Sequence, residues 1–468
     1  MARPSADAKL AGIERYRQRV ISQPLARGIS TDEVRDHLAK LPPRRFPQVV
    51  YGNRGAAPCV QPRGGFPLFE AQYRLTRQLS EAGADFIPLT IDSYTRHNQY
   101  DTATQLLRRS EEEGKNYLNG YPLISHGYEL TRELYRDIDK PISLRHGTPD
   151  ARLLVEVAIA SGIAEIEGGG LCYCLPYSEG FPLDRCVLYW QYVDRVCAVN
   201  STDRAPIHRE SFGPLTATLV PPAIVLAIQI IEALLAAEQG VTSFAVSFGQ
   251  TGSLIQDVAT GRALRQLTRH YLDEFGFESV RSYLVYHQWM GQFPPRPEKA
   301  AALIAGSSVI SNLISADKIV VKTRDEALGV PRAEVNAEAV ETVQYVLRTF
   351  GCVEQLTSPL IDREAALIES EVRSILRAVF GMSGDAFWES VLRAFQLGYL
   401  DVPFSPHADN ANKLISKRDA NGSIRIFERG SVPISDEDTE RERQLLTSRG
   451  SPSDKTYRQL LADINIMV

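Results

Sequence analysis

Residues 142–167, ISLRHGTPDARLLVEVAIASGIAEIE, form one strand–helix–strand pattern. The two ends, ISLR and AEIE, are short runs bounded by polar or glycine-containing turns, as β-strands are. The apolar stretch between them begins with Thr148-Pro149-Asp150. A capping residue, a proline and an early acid are typical of a helix N-terminus, so we predict a helix over 149–161. Two strands joined by a helix predict a parallel βαβ unit.

The same unit recurs between residues 55 and 325. We predict strands at 59–62, 85–91, 121–125, 142–145, 164–167, 243–248, 282–288 and 318–322, with helical patterns between them. Eight such units over roughly 270 residues have the number and length of a (β/α)8 TIM barrel. An open doubly wound sheet is the rival α/β arrangement, but it rarely needs eight units in succession.

The pattern divides the chain into three parts. Residues 1–54 are charged and helical in pattern and predict an N-terminal helical arm. Residues 55–346 are expected to form the catalytic barrel, with a large insertion at about 168–242 between the fifth and sixth predicted strands. Residues 347–468 combine helical patterns with a hairpin and predict a C-terminal α+β extension. A long insertion on a barrel loop usually serves function.

Composition excludes several classes of protein. The chain has 468 residues, and 52 Lys and Arg against 57 Asp and Glu give a net charge of −5, which argues against a nucleic-acid binder. Its six cysteines lack zinc-ligand spacing and suit a reducing cytosol, so no metal site is predicted. The most apolar run, 219–237, holds Gln229 and Glu232, and predicts a buried helix entered at Pro222. No signal peptide is recognised, and we expect a cytoplasmic protein that does not cross a membrane.

Three arginines follow predicted strands at the end where barrel enzymes build their active sites. Arg63 follows the first strand, Arg96 lies beyond the second, and Arg145 ends ISLR. A guanidinium group binds a carboxylate through a planar, two-pronged contact. Together the three predict a clamp for a dicarboxylate, whereas each alone is equally compatible with a surface salt bridge.

Glu167 ends AEIE and is followed by three glycines. Such a carboxylate can bind a substrate ammonium group, act as a general base, or pair with one of the arginines. Tyr173 and Tyr177 are four residues apart, so they share a face if this segment is helical. Their hydroxyl groups can then complete a carboxylate site, although ordinary aromatic packing explains them nearly as well.

Lys322 and Glu326 close the barrel pattern and are ambiguous. A lysine at a strand end can form a Schiff base, which makes a lyase or aldolase acting on an acidic substrate one alternative. Thr323 and Glu326 have the spacing of a capping box, so Glu326 can instead close the start of a helix.

Several runs, taken in order, resemble the large (epsilon) subunit of glutamate mutase, also called methylaspartate mutase. They are QPRGG, TIDSYTRHNQY, LNGYPLISHG, RHGTPDARLL, EGGGLCYCLPY, FGPLTATLVPP, IIEALLAAEQG, YHQWMGQFP, VVKTRDEALGVP, PFSPHADNANKL and IRIFERGSVP. The resemblance implies adenosylcobalamin-dependent radical chemistry that interconverts L-glutamate and L-threo-3-methylaspartate by moving a glycyl fragment between adjacent carbons. In this family the cobalt–carbon bond breaks homolytically and the 5′-deoxyadenosyl radical takes hydrogen from the substrate.

The resemblance also implies roles for individual residues. The implied substrate-binding residues are Arg63, Arg96, Arg145, His146, Glu167, Tyr173 and Tyr177. Glu167 matches the carboxylate that faces the substrate amino group and is the implied catalytic residue. The positions that match contacts to the cobalamin or its adenosyl group are Gly65, Asn119, Pro176, Phe293, Lys322, Glu326 and Val330. Lys322 and Glu326 are implied to hydrogen-bond the ribose.

A partner subunit is implied by a motif that this chain lacks. Cobalamin proteins that place a histidine on cobalt use Asp-x-His-x-x-Gly, which none of the eight histidines here fits. In the family, a separate small (sigma) subunit of flavodoxin-like fold carries that motif. The resemblance therefore implies a shared cofactor, an E2S2 heterotetramer with an E–E dimer, and inactivity of this chain alone. A related cobalamin mutase on another acidic amino acid, a cobalamin-independent lyase or aldolase using Lys322, and a non-catalytic homologue stay open.

Overall fold

Eight short strands form one parallel sheet at the centre of the computed structural model. The model describes residues 16–26, 28–213, 219–329, 331–351, 356–382, 386–447 and 457–468. The strands are Cys59–Gln61 (β1), Ile87–Thr90 (β2), Ile142–Arg145 (β3), Glu165–Glu167 (β4), His208–Glu210 (β5), Ser243–Gly249 (β6), Arg281–His287 (β7) and Lys318–Val320 (β8).

The sheet closes into a barrel. Its strand order is β1-β8-β7-β6-β5-β4-β3-β2, and every neighbouring pair is parallel. The two strands at the ends of this order are joined through the N–H groups of Asp85 and Phe86, which donate to the carbonyl of Val60 at 2.9 and 3.3 Å. The predicted (β/α)8 TIM barrel is confirmed, with the C-terminal ends of all eight strands on one face.

Helices surround the barrel and flank it at both ends of the chain. They are residues 16–21 (α1), Thr31–Lys40 (α2), Pro47–Asn53 (α3), Phe69–Glu81 (α4), Ser93–Arg96 (α5), Tyr100–Glu113 (α6), Leu123–Leu134 (α7), Arg152–Ala160 (α8), Cys174–Tyr177 (α9), Leu183–Asn200 (α10), Pro222–Glu238 (α11), Leu254–Glu274 (α12), Pro297–Leu313 (α13), Ala333–Thr349 (α14), Pro359–Phe380 (α15), Phe387–Gln396 (α16), Asp436–Thr447 (α17) and Tyr457–Ile464 (α18). An antiparallel hairpin, Ile415–Arg418 (β9) and Ile424–Glu428 (β10), belongs to the C-terminal part.

The strand–helix–strand unit over 142–167 is confirmed, but its helix begins later than predicted. α8 begins at Arg152, and its N-cap residue, Ala151, makes no side-chain capping bond. The predicted cap at Thr148 is wrong because the chain does not yet turn helically there. Asp150 instead accepts hydrogen bonds from the Arg152 side chain, at 2.7 and 2.6 Å.

The predicted strand at 121–125 is wrong. Tyr121 makes only one bridge to the sheet, opposite Ile91, and its N–H donates to Thr90 at 2.8 Å. Pro122, which lacks an N–H to donate, is the N-cap of α7, and the apolar residues that follow are helical. Short apolar runs of this kind fit a strand and a buried helix equally well.

The fifth strand of the barrel was missed, and the interval 168–242 is not a single insertion. It contains α9, α10, β5 and all of α11. β5 has the sequence His-Arg-Glu and is fully buried. Its central residue, Arg209, pairs with Asp194 of α10 at 2.6 Å. His208 contacts Ser243 of the adjacent strand β6, and Glu210 contacts Lys318 of β8 across the barrel. A polar strand gives no hydrophobic signal, which is why the sequence pattern overlooked it.

The flanking segments pack against the barrel helices. Arg17 of α1 forms a buried, two-pronged pair with Glu156 of α8, at 2.7 and 2.8 Å. The apolar helix predicted after residue 219 is confirmed as α11, which begins at Pro222 and is buried almost throughout. Among the helices of the described segments, none has the length and apolarity to cross a membrane. The domain boundaries at 54 and 346 stay predictions.

Candidate active site

Charged side chains end several strands on the same face of the barrel. Arg145 is the last residue of β3, Glu167 of β4, Glu210 of β5 and His287 of β7. All four are buried. In a parallel barrel this is the face on which catalytic groups gather.

Arg145 is held between two carboxylates. Its Nη2 lies 2.5 Å from Glu167 Oε1, and its Nη1 donates to Glu210 Oε1 at 2.8 Å. Burial raises the pKa of Glu167 against the opposing charge of Arg145. Burial also tends to raise the pKa of Glu210. The positive charges of Lys318 and Arg145, however, hold that pKa well below the usual range. The pairing of Arg145 with Glu167 was one of the alternatives that the sequence left open.

A fully buried lysine extends this network below the strand ends. Lys318, the first residue of β8, contacts Glu165 and lies 2.5 Å from Glu210 Oε2. Burial, opposed by Lys318, raises the pKa of Glu165 to about 8. The network thus combines two cations, Lys318 and Arg145, with three carboxylates, Glu165, Glu167 and Glu210. Because the pKa of Glu165 is raised to about 8, this carboxyl group keeps a proton near neutral pH.

Tyr173 and His146 complete the buried side of the site. The hydroxyl of Tyr173 donates to Glu167 Oε2 at 2.5 Å, and burial raises the pKa of this phenol, so it keeps its proton. His146 stacks on Trp190 with ring centroids 5.7 Å apart. Burial and the charge of Arg96 lower the pKa of His146 well below its usual value. Its Nδ1 accepts a hydrogen bond from the N–H of Thr148, so the ring is neutral.

The three glycines after Glu167 let the loop pack against a buried acid. Gly168 has a φ of 120°, a conformation that other residues rarely adopt. A Cβ on Gly169 would lie 2.4 Å from the Glu232 carboxyl group. Glu232 Oε1 accepts hydrogen bonds from the N–H groups of Leu171 and Cys172, at 2.7 and 3.0 Å. Glu232 of α11 therefore fixes the loop that leads to Tyr173.

Arg63 and Arg96 differ from Arg145 in their partners. Arg96 Nε donates to the carbonyl of Ile91 at 2.6 Å, and Arg63 Nη1 lies 3.8 Å from the sulfur of Met290. Both are half-buried, and within the described ranges neither forms an ion pair. Burial and the nearby charge of Arg63 lower the pKa of Arg96. Two neighbouring guanidinium groups therefore have donors to offer an anion.

Tyr177 lies beside these arginines. It ends the short helix α9, and its ring centroid is 6.2 Å from that of Tyr173 in an edge-on arrangement. Tyr177 is 50% exposed, yet the groups around its phenol desolvate it and raise its pKa to about 12, against the positive charges of Arg63 and Arg96. The two tyrosines do share one face of the site, as helical spacing predicts.

Lys322 and Glu326 form a close pair in the loop after β8. Lys322 Nζ donates to Glu326 at 2.6 Å and lies 5.9 Å from the ring centroid of Phe293. Burial and the charge of Arg63 lower the pKa of Lys322 to about 8. The predicted capping box does not form, since residues 324–327 make a turn and only the N–H of Glu326 reaches the carbonyl of Thr323, at 3.3 Å.

The remaining predicted cofactor positions that the structure describes belong to three separate connections of the barrel. Gly65 packs so tightly on β2 that a Cβ would meet a backbone oxygen at 2.3 Å. Asn119 is exposed and accepts a hydrogen bond from the N-terminus of α5 at 2.9 Å. Pro176 belongs to α9. Val330 lies outside the described residues.

Glu210, His287 and Lys318 are the site residues that sequence reasoning missed. Glu210 escaped notice with its strand, and the other two were counted only as strand residues. Glu167, Glu210 and His287 form a metal-ligand-like group, with ligand atoms within 4.8 Å of one another. Arg145 and Lys318 already contact its carboxylates, so these cations neutralise the group as a metal ion would. No predicted strand ends at Glu210, so the signal that could find it is the long gap at 168–242, which leaves room for a further strand.

The C-terminal ends of the strands surround a cup of charged side chains, which includes Arg145, Glu167 and Glu210. This cup and the fold define a (β/α)8-barrel enzyme. Comparison with known families then narrows the class. The chain belongs to the family described as "Methylaspartate mutase E chain (MutE)", whose model matches residues 44–468.

Curated relatives agree over most of the chain. A "Glutamate mutase epsilon subunit" from Halobacterium salinarum is 41% identical over 428 residues, covering 91% of this chain and 89% of the relative. Proteins of the same name from Escherichia coli O157:H7 and Desulfitobacterium hafniense are 39% and 36% identical, covering 86% and 96% of this chain and 84% and 94% of the relatives. Among solved structures, a tryptophan synthase alpha chain from Legionella pneumophila covers 68% of this chain and 99% of its own, with a TM-score of 0.35 at 13% identity.

Proposed function

We propose that this chain is the large catalytic subunit of an adenosylcobalamin-dependent glutamate mutase, which interconverts L-glutamate and L-threo-3-methylaspartate. The observation that carries the proposal is the pair of guanidinium groups, Arg63 and Arg96, beside the buried Glu167–Tyr173 contact. Relatives named glutamate mutase epsilon subunit, which match most of the chain, support the same reaction. Its reaction class is that of an isomerase.

The charges of the cup suit an amino-dicarboxylic acid. Arg63 and Arg96 bind the substrate carboxylates through two-pronged contacts, with Tyr177 completing the site. Arg145 also binds a substrate carboxylate, while its Nη1 keeps its hydrogen bond to Glu210. Glu167, which contacts Arg145 and Tyr173, receives the substrate ammonium group. His146, which is neutral, adjoins the carboxylates without adding charge.

The residues of the outer loops suit a ribose and a corrin ring. Lys322 Nζ donates one of its three N–H groups to Glu326. Its other N–H groups therefore lie close to a carboxylate oxygen of Glu326. One donor and one acceptor side by side are what a ribose diol needs. Gly65, Asn119, Pro176, Phe293 and Val330 are the other residues that we assign to this cofactor. Adenosylcobalamin, when bound, supplies the radical that takes hydrogen from the substrate.

The barrel contributes by excluding water. The charged and polar side chains at the base of the site are all buried, which keeps water away from them. They are Arg145, Glu167, Tyr173, Glu210 and His287. A dry, preorganised site strengthens the contacts between arginine and carboxylate and protects reactive species from solvent.

The family name "E chain" and the relatives' word "subunit" support a partner. We assign that role to a small cobalamin-binding (sigma) subunit that encloses the cofactor against the open face of the barrel. The complete enzyme is then an E2S2 heterotetramer with an E–E dimer, located in the cytoplasm.

The test is a reconstituted assay. The chain is mixed with a small subunit from a characterised glutamate mutase and with adenosylcobalamin, and L-glutamate is then added. We expect 3-methylaspartate to appear, detected by proton NMR of its methyl group. Aspartate, which cannot undergo the rearrangement, serves as the substrate control. No methylaspartate with a competent small subunit would contradict the proposal.

A second candidate rests on the pKa of Lys322, about 8, which is low enough for a nucleophilic amine. In that case the chain is a cobalamin-independent lyase or aldolase that forms a Schiff base with an acidic substrate. Borohydride reduction in the presence of glutamate or a keto acid distinguishes the two. Mass spectrometry that finds a reduced adduct on Lys322 favours the lyase, whereas an unmodified Lys322 favours the mutase. A mutase acting on another acidic amino acid is tested by offering that substrate in the reconstituted assay.

A further inference from the structure

Two cysteines and a histidine meet behind the tyrosines of the site. Cys174, the first residue of α9, places its Sγ 3.3 Å from Nε2 of His407 in the C-terminal extension. Cys186 of α10 lies beside Cys174, within the range of a hydrogen bond between the two sulfurs, and its Sγ also lies 3.4 Å from the carbonyl of Pro149. The mutase reaction proposed above uses none of these groups. Their role therefore needs a separate explanation.

The histidine is oriented to support a thiolate. The N–H of Asp409 donates to His407 Nδ1 at 3.1 Å, so the ring proton lies on Nε2. That nitrogen is 2.8 Å from the carbonyl of Phe181 as well as 3.3 Å from Cys174 Sγ. An N–H directed at sulfur favours the thiolate, which is the reactive form of cysteine. The hydrogen bond from Cys186, followed by that from His407, lowers the pKa of Cys174 to about 6.

A short segment with exposed residues covers Cys174, whose side chain is buried. The carbonyl of Phe181 contacts Cys174 Sγ at 3.6 Å, so the segment 177–181 folds back over the sulfur. Residues 177, 179 and 180 of that segment are exposed. Cys172, two positions away, is buried and accepts a hydrogen bond from the N–H of Phe212, and burial raises the pKa of its thiol. The same stretch therefore holds a reactive thiol and an inert one.

We propose that Cys174 is a peroxide-sensitive thiol and that Cys186 is its resolving partner. The Cys174 thiolate attacks the O–O bond of hydrogen peroxide, giving a sulfenic acid and hydroxide, which takes up a proton to become water. The sulfur of Cys186 then attacks the sulfenic sulfur, the S–S bond forms, and hydroxide leaves with the Cys186 proton as a second water. Two thiols lose two electrons and one peroxide is reduced to two waters.

Oxidation at this position changes the neighbouring site. Cys174 directly follows Tyr173, whose ring faces Trp190 at 5.8 Å between centroids. Trp190 lies one turn beyond Cys186 on α10. Joining the two cysteines draws α9 toward α10 and shifts Tyr173 from Glu167. This consequence rests on the proposed function, and it predicts a severalfold higher KM for L-glutamate after oxidation, reversed by dithiothreitol.

The primary test uses neither substrate nor cofactor. The full chain is treated with hydrogen peroxide, blocked with N-ethylmaleimide, digested with trypsin without reduction and examined by mass spectrometry. Arg152, Arg185 and Arg195 are tryptic sites, so the disulfide joins peptides 153–185 and 186–195. We expect this cross-linked pair in the wild-type chain and in Cys172→Ser, and its loss in Cys174→Ser. His407→Asn should slow the oxidation on the order of tenfold, because the thiolate loses its hydrogen-bond donor.

The outcomes are separable. A cross-link that survives in Cys174→Ser, or wild-type chain that peroxide leaves with both thiols free, overturns the proposal. If a variant fails to fold, the wild-type time course of sulfenic-acid trapping by dimedone at Cys174 decides instead, and no adduct at Cys174 overturns it. A cross-link in a chain without mutase activity supports the thiol pair and contradicts only the proposed function. An oxidised, active enzyme with unchanged KM overturns the coupling to the site.

Discussion

At the scale of single residues, Glu210 connects the two buried cations of the barrel. Arg145 contacts one of its oxygens and Lys318 the other. A buried charge is tolerated only when it is paired, and removal of one partner leaves the others unsatisfied. Glu210 therefore controls both the stability of the barrel interior and the position of the Arg145 guanidinium.

We predict that Glu210→Gln destabilises the chain by about 3–5 kcal/mol, because it removes the carboxylate shared by two buried cations. Denaturant unfolding of the purified chain measures the change. Glu341→Gln, at an exposed position on α14, is the matched control and should stay within about 0.5 kcal/mol of the wild type. Equal unfolding midpoints for the two variants would contradict the role assigned to Glu210.

Arg96→Lys tests the carboxylate clamp. A lysine retains the charge but cannot reproduce the planar, two-pronged contact. We expect kcat/KM for L-glutamate to fall by about ten- to a hundredfold, since a hydrogen bond to a charged group is worth about 1.5–3 kcal/mol. Steady-state rates in the reconstituted enzyme give the value. Arg348→Lys, exposed on α14, provides the control, and a wild-type kcat/KM in Arg96→Lys would exclude Arg96 from substrate binding.

At the scale of elements, the loop after β4 depends on contacts between backbone and side chain. Gly169 lies against the Glu232 carboxyl group, and that group holds the next two N–H groups of the loop. α11 thereby sets the direction of the chain that carries Tyr173 into the site.

Gly169→Ala should displace Glu232 and leave buried polar groups unsatisfied. We expect a loss of roughly 1–3 kcal/mol in stability and a clear drop in kcat. Gly180→Ala is the control from the same connection, because a Cβ there meets no atom within 4 Å. Thermal unfolding and steady-state rates are measured on both variants. If Gly169→Ala behaves like Gly180→Ala, Glu232 does not fix this loop.

The loop after β8 predicts a pH dependence. Lys322 loses its charge above about pH 8, because burial and Arg63 lower its pKa. We expect mutase activity to decline on the alkaline side with a midpoint near pH 8, and Lys322→Arg, which stays charged, to move that decline to higher pH. The unfolded chain binds this proton up to its ordinary pKa, so Lys322 makes folding more favourable as pH rises through this window. Unfolding driven by the titration of Lys322 is therefore excluded as the cause of the alkaline decline in activity. An unchanged profile in Lys322→Arg would contradict the assignment.

The barrel strands differ in how clearly the sequence pattern marks them. Seven of the eight barrel strands alternate with helices strongly enough to be predicted within a few residues. β5 could not be, because its polar residues have partners that lie far away in sequence: His208 contacts the hydroxyl group of Ser243, and Glu210 pairs with Arg145. The run 121–125 has strand composition, but Pro122 ends any pairing and starts α7. Local patterns report burial and turn chemistry, whereas such long-range ionic partners are invisible to them.

At the scale of the whole molecule, the C-terminal extension reaches the active-site loops. Ser405 donates to the carbonyl of Leu175 at 2.7 Å, and His407 contacts Cys174. The sequence placed the three arginines, Glu167 and both tyrosines on the face of the barrel where the strands end, because strand ends can be located from the pattern, and their roles in binding stay predictions. It could not predict that the extension would pack on α9, since no local pattern encodes a contact over 230 residues.

The measurement that tests the central claim most directly is a set of omissions in the reconstituted assay. This chain, a competent small subunit, adenosylcobalamin and L-glutamate are combined, and each component is left out in turn while 3-methylaspartate is followed. We predict product only when all four are present, which would establish both the reaction and the division of the cofactor site between two chains. Product without the small subunit or without adenosylcobalamin, or no product from the complete mixture, would contradict the account.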